Sequence, residues 1–406
     1  MSKKYKLSTI IFIFFVFAPS VFATTFFSGF AGGKLNYSTI EGSEEYSPEL
    51  KLQAFFQGQF NFSKNLWSHL EISLNTQNLI SQSIFHETDS VFQIDEMSLI
   101  YRTPMENSAN YLGVFMGTFD PIGSDVFLQR YFGIDNISSK ITESWLGLAG
   151  SILYPHFGIG FSDVLRFYSS PMAAGFYFYV NHEDEDYYVI NSDLRYACVY
   201  RYLYLDVACG LGAPIKENKE YIAAIEKLYW HAGVTALIGN NFTNSLFIQM
   251  GLFNASFTKQ SESFYFRPSD TYILFEPRFK VGPARLNFSF YSLPQNTVDK
   301  LLFVDNSLGI SINFYSDAVS FVQNRGSLGL LFSYSFPEKS FIDLKDIKNL
   351  GKWDFELSMT PYFSTGFLNG ELHVQTKINF MKFATSNWYD AFTVLNILLY
   401  YHKINC

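Results

Sequence analysis

Residues 50–77, LKLQAFFQGQFNFSKNLWSHLEISLNTQ, decide how this chain is read. From Leu50 every second residue is apolar or glycine: Leu50, Leu52, Ala54, Phe56, Gly58, Phe60 and Phe62. Lys51, Gln53, Phe55, Gln57, Gln59 and Asn61 stand between them. After Ser63-Lys64-Asn65 the alternation resumes, with Leu66, Leu70, Ile72 and Leu74 on one face and Trp67, His69, Glu71, Ser73 and Asn75 on the other. Successive side chains of a strand point to opposite faces, so two such runs around a short break predict a long β-hairpin. Whether its apolar face meets a protein core or lipid depends on the rest of the chain.

The pattern recurs at 203–211, 246–252, 308–315, 353–360 and 371–380. It predicts strands at 25–37, 49–62, 66–77, 92–102, 111–119, 144–153, 157–168, 187–199 and 202–212. Others follow at 228–239, 245–257, 270–281, 284–293, 306–316, 326–336, 353–363, 367–380 and 390–401. The stretch AGFYFYVN (174–181) is assigned to a loop, or to an irregular extension of the strand at 157–168.

Short connections, at 63–65, 103–110, 154–156, 200–201, 240–244, 282–283, 317–325 and 365–366, alternate with longer ones. The longer ones are 38–48, 78–91, 120–143, 169–186, 213–227, 258–269, 294–305, 337–352 and 381–389. Both the first and the last connection are long, so the strand count is even and both termini lie on the rim of short turns.

Net charge is −8 and no basic stretch follows the extreme N-terminus, which leaves no electrostatic footprint for nucleic acid. Lys3, Lys4 and Lys6, the apolar run Leu7–Ala18 and Val21-Phe22-Ala23 read as a cleaved signal peptide over 1–23, with the mature domain at 24–406. Beyond it no apolar run reaches the roughly 18 residues a spanning helix needs. Several strands are long enough for the about 9–11 tilted residues that cross a bilayer. Aromatic residues crowd the strand ends, among them Trp67, Tyr101, Tyr111, Tyr200, Tyr202, Trp230 and Tyr362, as a membrane girdle requires. In lipid only closed barrels satisfy the backbone groups of strands.

Together these features resemble bacterial outer-membrane β-barrels of the porin class over essentially all the mature chain, in architecture and topology and without a diagnostic family motif. The end of the chain departs from that class: FTVLNILLYY (392–401) is followed by HKINC. The resemblance implies an all-β, transmembrane, antiparallel up-and-down barrel of about 18 strands (range about 14–18), placed in the outer membrane by the barrel-assembly machinery. It further implies contact with outer-membrane lipid, and passive diffusion of small solutes through an aqueous lumen rather than a packed core. The alternatives are a hydrophobic-substrate barrel similar to fatty-acid transporters, with inward aromatics such as Phe55, Trp67, Tyr204, Tyr315 and Tyr362, and a surface adhesin or structural barrel.

The polar faces give the lumen candidates: Lys51, Gln53, Gln57, Gln59, Asn61, His69, Glu71, Asn75, Arg195, Asp206, Arg285, Glu356, Glu371, Gln375 and Lys377. Connection 120–143, DPIGSDVFLQRYFGIDNISSKITE, carries its own apolar cluster with Asp120, Asp125, Arg130, Asp135 and Lys140. It is read as a loop that either stays on the surface or folds into the barrel and narrows it. Residues 337–352 suggest a helical turn. No HExxH, CxxC, phosphate-binding glycine loop or GxSxG motif occurs, so no catalytic residue, metal or cofactor is expected. The acidic runs 41–45 and 183–186 are read as solvated loops. Cys198 and Cys209 fall on the apolar face, Cys198 opposite about Leu203, and no disulfide between them is expected.

Overall fold

The alternation seen in the sequence becomes a continuous hydrogen-bonded ladder. The computed structural model describes residues 26–40, 47–80, 91–143, 157–184, 187–218, 221–224, 227–258, 263–265, 270–298, 301–304, 306–321, 324–367, 370–385 and 392–405. Its strands are β1 (Phe26–Ile40), β2 (Ser47–Ser63), β3 (Leu66–Asn75), β4 (Val91–Pro104), β5 (Ser108–Thr118) and β6 (Phe157–Phe167). They continue as β7 (Met172–Asp184), β8 (Tyr187–Tyr200), β9 (Leu203–Asn218), β10 (Lys227–Gly239), β11 (Ser245–Thr258) and β12 (Thr271–Val281). The last are β13 (Ala284–Ser292), β14 (Leu308–Phe321), β15 (Asn324–Phe336), β16 (Glu356–Phe367), β17 (Gly370–Asn379) and β18 (Phe392–Asn405).

Each strand pairs antiparallel with its successor, and β1 pairs antiparallel with β18, from Ser28↔Asn405 to Ser38↔Val394, so the sheet closes. Two short strands, Tyr221–Ala224 and Ser263–Tyr265, pair only with β9 and β11 beyond the wall, leaving eighteen staves. The quoted hairpin is β2–β3, in the register Gln57↔Glu71 and Gln59↔His69.

The strand total matches the expectation by exchange. Residues 174–181, assigned from sequence to a loop, lie within β7, which pairs with β6 and β8 along its length. The expected long connection 169–186 is thereby replaced by a tight turn at 168–171 and the β7 strand. The reason is that Ala174, Phe176 and Phe178 alternate with Ala173, Gly175, Tyr177 and Tyr179, an alternation masked because both faces are apolar in one-letter terms. The expected strand 144–153 and the turn 154–156 lie outside the described residues, and β5 pairs directly with β6. The signal peptide 1–23 also lies outside them. Short turns join β2–β3, β4–β5, β6–β7 and the following even–odd pairs; the odd–even connections are longer except β7–β8, where only two residues separate Asp184 from Tyr187, and the even strand number puts both termini on one rim.

Outward and inward faces have opposite chemistry. On β8, Leu194 is 61% exposed and Tyr196 44%, whereas Asp193, Arg195 and Ala197 between them are buried. On β5, Leu112 and Val114 are exposed while Phe115 is buried. Tyr101, Tyr200, Tyr202 and Trp230 are exposed on the outer surface near strand ends, as a girdle requires. Trp67, Tyr111 and Tyr362, expected in the same girdle, instead pack against the interior cluster. Their strand parity turns them inward, which residue type alone does not reveal. Cys198 is opposite Leu205, two residues from the expected partner, and Cys209 is opposite Leu194; both thiols are free.

In connection 337–352 the expected helical turn is a 3-10 segment, Phe341–Lys352, whose start is fixed by Asp343 accepting hydrogen bonds from the Ser340 N–H (2.8 Å) and hydroxyl (2.9 Å).

Candidate functional site

Barrel closure points a ring of polar side chains at the axis, and the sequence supplies what fills that space. Connection 120–143 lies within it. After β5 the chain turns at Asp120, whose φ of 42° is the left-handed region, and forms α1 (Val126–Phe132), ended by Gly133. Asp and Asn tolerate this conformation better than other side-chain-bearing residues. Phe127, Leu128, Tyr131, Ile137 and Ile141 of the loop are buried in one hydrophobic cluster with inward residues Phe115, Tyr177, Tyr179, Phe253 and Tyr272. The expectation of a purely aqueous lumen is therefore corrected: the interior holds a packed apolar plug. Inward apolar residues on the strands give the loop's own apolar side chains a surface on which to escape water.

Polar contacts fasten the loop around the wall. Arg130 donates to both carboxylate oxygens of Glu96 on β4 (2.8 Å each) and lies 3.1 Å from Asp120. Tyr177 on β7 donates to Asp120 (2.8 Å), and Arg195 on β8 donates to the Asp120 carbonyl (2.5 Å). Gln249 on β11 donates to the Gly123 carbonyl (2.6 Å), and Tyr272 on β12 to that of Ile122 (3.2 Å). Further along, Ser139 donates to Glu276 and Arg278 to the Ser138 carbonyl (3.2 Å), both from β12. Lys140 sits over the rings of Phe303 and of Tyr362 on β16, at 5.5 and 5.4 Å. These contacts run from one side of the barrel to the other. Burial works against the charge on Arg130, but Asp120 and Glu96 outweigh it and hold its proton more firmly than usual.

A second connection joins the plug. After β13 the chain forms the short α2 (Gln295–Val298), and Leu293, Val298, Leu301, Leu302 and Phe303 are buried in the same cluster. Leu302 donates its N–H to the Glu143 carbonyl (3.0 Å) and accepts from Gln375 on β17, so the two loops touch each other and the wall.

The expected lumen residues fall on the inward-facing series of their strands. Gln57 meets His69 at 3.4 Å, His69 is 4.0 Å from Glu71, and Gln59 donates to Asn61 (2.9 Å). Lys51 pairs with Glu49 (2.8 Å), and Asn75 stands opposite Gln53. Arg195 and Asp206 form a buried two-pronged ion pair. Arg285 lies towards the short-turn rim, donating to the Asn241 carbonyl (3.0 Å), and Glu356 accepts from Asn306 (2.8 Å). Gln375 and Lys377 are buried, and Glu371 is half-buried. Of the loop residues, Asp120 and Arg130 form the clasp. Asp125 is buried and accepts the Ile137 N–H (2.9 Å) inside the loop, Lys140 pairs with Glu143, and Asp135 is exposed.

Sequence reasoning did not single out Glu96, Asp193, Glu276, Arg278 or Tyr177. Asp193 accepts from Tyr179 (3.0 Å) and pairs with His231; Glu276 binds Arg278 (2.7 Å) and Ser289. For Glu276 and Arg278 a signal existed in FEPRF, where two charges alternate with three apolar residues. Glu96 was hidden by a register shift opposite Glu71 and Ile72, which turns it inward next to Asp95.

The seat of the loop is shaped by glycine. Gly123 has φ +67°, and a Cβ there would lie 1.4 Å from the Tyr272 hydroxyl; a Cβ on Gly233 of β10 would lie 2.5 Å from Ile122 Cγ2. Gly233→Val should thus push the start of the loop off the wall while leaving its ion pairs chemically intact, at an overpacking cost of about 1–3 kcal/mol. Limited trypsin digestion checks this: the Arg130–Tyr131 bond, protected in the native protein, should be cut in the variant. Equal protection in both would refute the close fit.

No protein-family model matches the chain, and no curated protein matches it. Among solved structures, OccAB3 of Acinetobacter baumannii is 9% identical, with 95% of this chain and 100% of that one covered and a TM-score of 0.50. OpdL of Pseudomonas aeruginosa is 9% identical over 94% of this chain and 99% of that one, with a TM-score of 0.49. The first likeness shows the fold alone, an antiparallel β-barrel like that of OccAB3.

Proposed function

We propose that the chain is an outer-membrane channel for passive diffusion of small polar solutes, narrowed by loop 120–143. The observation that carries this reading is the loop's attachment across the inside of a closed eighteen-strand wall. A wall of that size leaves room for an aqueous path, and a charged loop inside it sets radius and field. The charges there are paired, Arg130 with Glu96, Arg195 with Asp206 and Arg278 with Glu276, which supports weak ion selectivity. The reading involves no catalytic chemistry. It takes residues 1–23 as the export signal and the barrel-assembly machinery as the insertion partner. Planar-bilayer recordings of the refolded protein should show discrete conductance steps; their absence overturns the reading.

The membrane part has its own test. Leu194 lies midway along β8 with Phe176 and Cys209 as outward neighbours. If that face meets lipid, Leu194→Arg should destabilise the folded barrel by about 2–4 kcal/mol, and the same change at Tyr202, beside the short turn, by about 0–1 kcal/mol. Denaturant titration in lipid vesicles measures both, and equal, small effects would argue against a lipid-facing surface.

A second reading, a route for apolar solutes, is favoured by the rings of Phe115, Phe119, Tyr177, Tyr179 and Phe253 around one cavity inside the barrel. Fatty-acid binding without ion conductance would select it.

A further inference from the structure

We propose that the inward face of β1–β3 is a binding subsite for a neutral, hydroxyl-rich solute, a sugar or polyol. The proposal rests on the channel reading and names its substrate class. Lys34 on β1, Gln53 on β2 and Asn75 on β3 form one row across three strands, with Lys34 opposite Gln53 and Gln53 opposite Asn75. Asn36 lies one inward position along β1 from Lys34, level with Lys51. Oδ1 of Asn36 and of Asn75, and Oε1 of Gln53, are buried and accept no hydrogen bond among the described residues. Lys34 is 5% exposed, and its ammonium makes no hydrogen bond or ion pair among the described residues. The loop's anchoring bonds run to β4, β7, β8, β11 and β12, and none of these orphaned atoms is among their partners.

A buried donor and three buried acceptors left without a partner among the described residues in one patch are costly, and such groups are satisfied by something that enters the site. The chemistry of the entrant follows by elimination. An anion without hydroxyl groups would suit Lys34 but brings no donor to the three carboxamide oxygens. A cation would suit the oxygens but is repelled by Lys34. An apolar solute serves neither. A hydroxyl group both donates and accepts, so a solute carrying several serves Lys34, Asn36, Gln53 and Asn75 together.

Isothermal titration of the detergent-solubilised full chain with D-glucose and with maltose tests the site, with gluconate and glucosamine as charged comparators. At least one neutral sugar should bind saturably and more tightly than either comparator. The double variant Gln53→Leu/Asn75→Leu should bind it about tenfold more weakly, as expected for losing hydrogen bonds in a buried site. Lys34→Met should also weaken it. Heat-modifiable migration on gels reports whether each variant folds, and the single Lys34→Met carries the test if the double variant does not. Absence of saturable sugar binding, tighter binding of gluconate, or unchanged binding by folded variants overturns the proposal. Conductance separates the two readings: sugar binding without conductance steps keeps the site and overturns the channel, whereas conductance without sugar binding does the reverse.

Discussion

Replacing residues 122–141 with a four-residue Gly-Ser linker should raise the unit conductance of the reconstituted protein several-fold. The excised segment contains α1, the buried apolar side chains of the plug and Arg130, the residue that ties Asp120 to Glu96. Without it the remaining obstruction is the connection around Leu301–Val304, which loses Lys140 beneath Phe303. An eighteen-strand wall with its loop removed approaches an open aqueous channel, and conductance follows the narrowest cross-section. The wall itself closes through β1 and β18, which the excision does not touch. Single-channel recordings of both forms decide the matter. Conductance unchanged within error would show that the loop is not the constriction.

Arg195→Met should cost about 3–5 kcal/mol of folding stability, the penalty for stranding a buried charge by removing its partner. Arg195 serves Asp206 on β9 through two nitrogens, caps the Asp120 carbonyl and covers the ring of Phe127. Asp206 is 2% exposed, so its carboxylate has no water to fall back on. The double change Arg195→Met/Asp206→Leu should recover much of the loss, because two apolar side chains of similar size need no pairing. Denaturant titration in vesicles gives the comparison. If the single variant is as stable as wild type, the pair is not buried in the folded barrel; if the double variant is no better than the single, the Asp120 carbonyl contact carries the energy instead.

The barrel was legible because its signal is local. Alternation at Leu50–Phe62 specifies both faces of β2 whatever the strand later pairs with, and the order of short and long connections fixes parity. At β7 the signal is ambiguous: Phe176 and Phe178 outward and Tyr177 and Tyr179 inward look alike in the sequence, which therefore suggests a loop or an irregular extension of the strand at 157–168. Trp67 and Tyr362 slipped for a related reason, since an aromatic near a strand end fits a girdle until its parity is known.

The interior was less legible. The apolar cluster in 120–143 was visible, but its place inside the barrel depends on Gln249, Tyr272 and Glu276, well over a hundred residues away in the chain. The clasp partner Glu96 depends on a register shift that no pattern in β4 announces.

By itself the sequence determined a closed sheet with an apolar outside and a polar inside, an even strand number and both chain ends on one rim, because each follows from period-two alternation and connection length. The tertiary structure alone decided that the polar inside is wrapped around an apolar plug, that Arg130, Arg195 and Arg278 are each committed to a carboxylate, and that Lys34 and the carboxamide oxygens of Asn36, Gln53 and Asn75 find no partner among the described residues. Those outcomes depend on which inward side chains the closed barrel brings within hydrogen-bond reach, and closure joins residues that no local pattern connects.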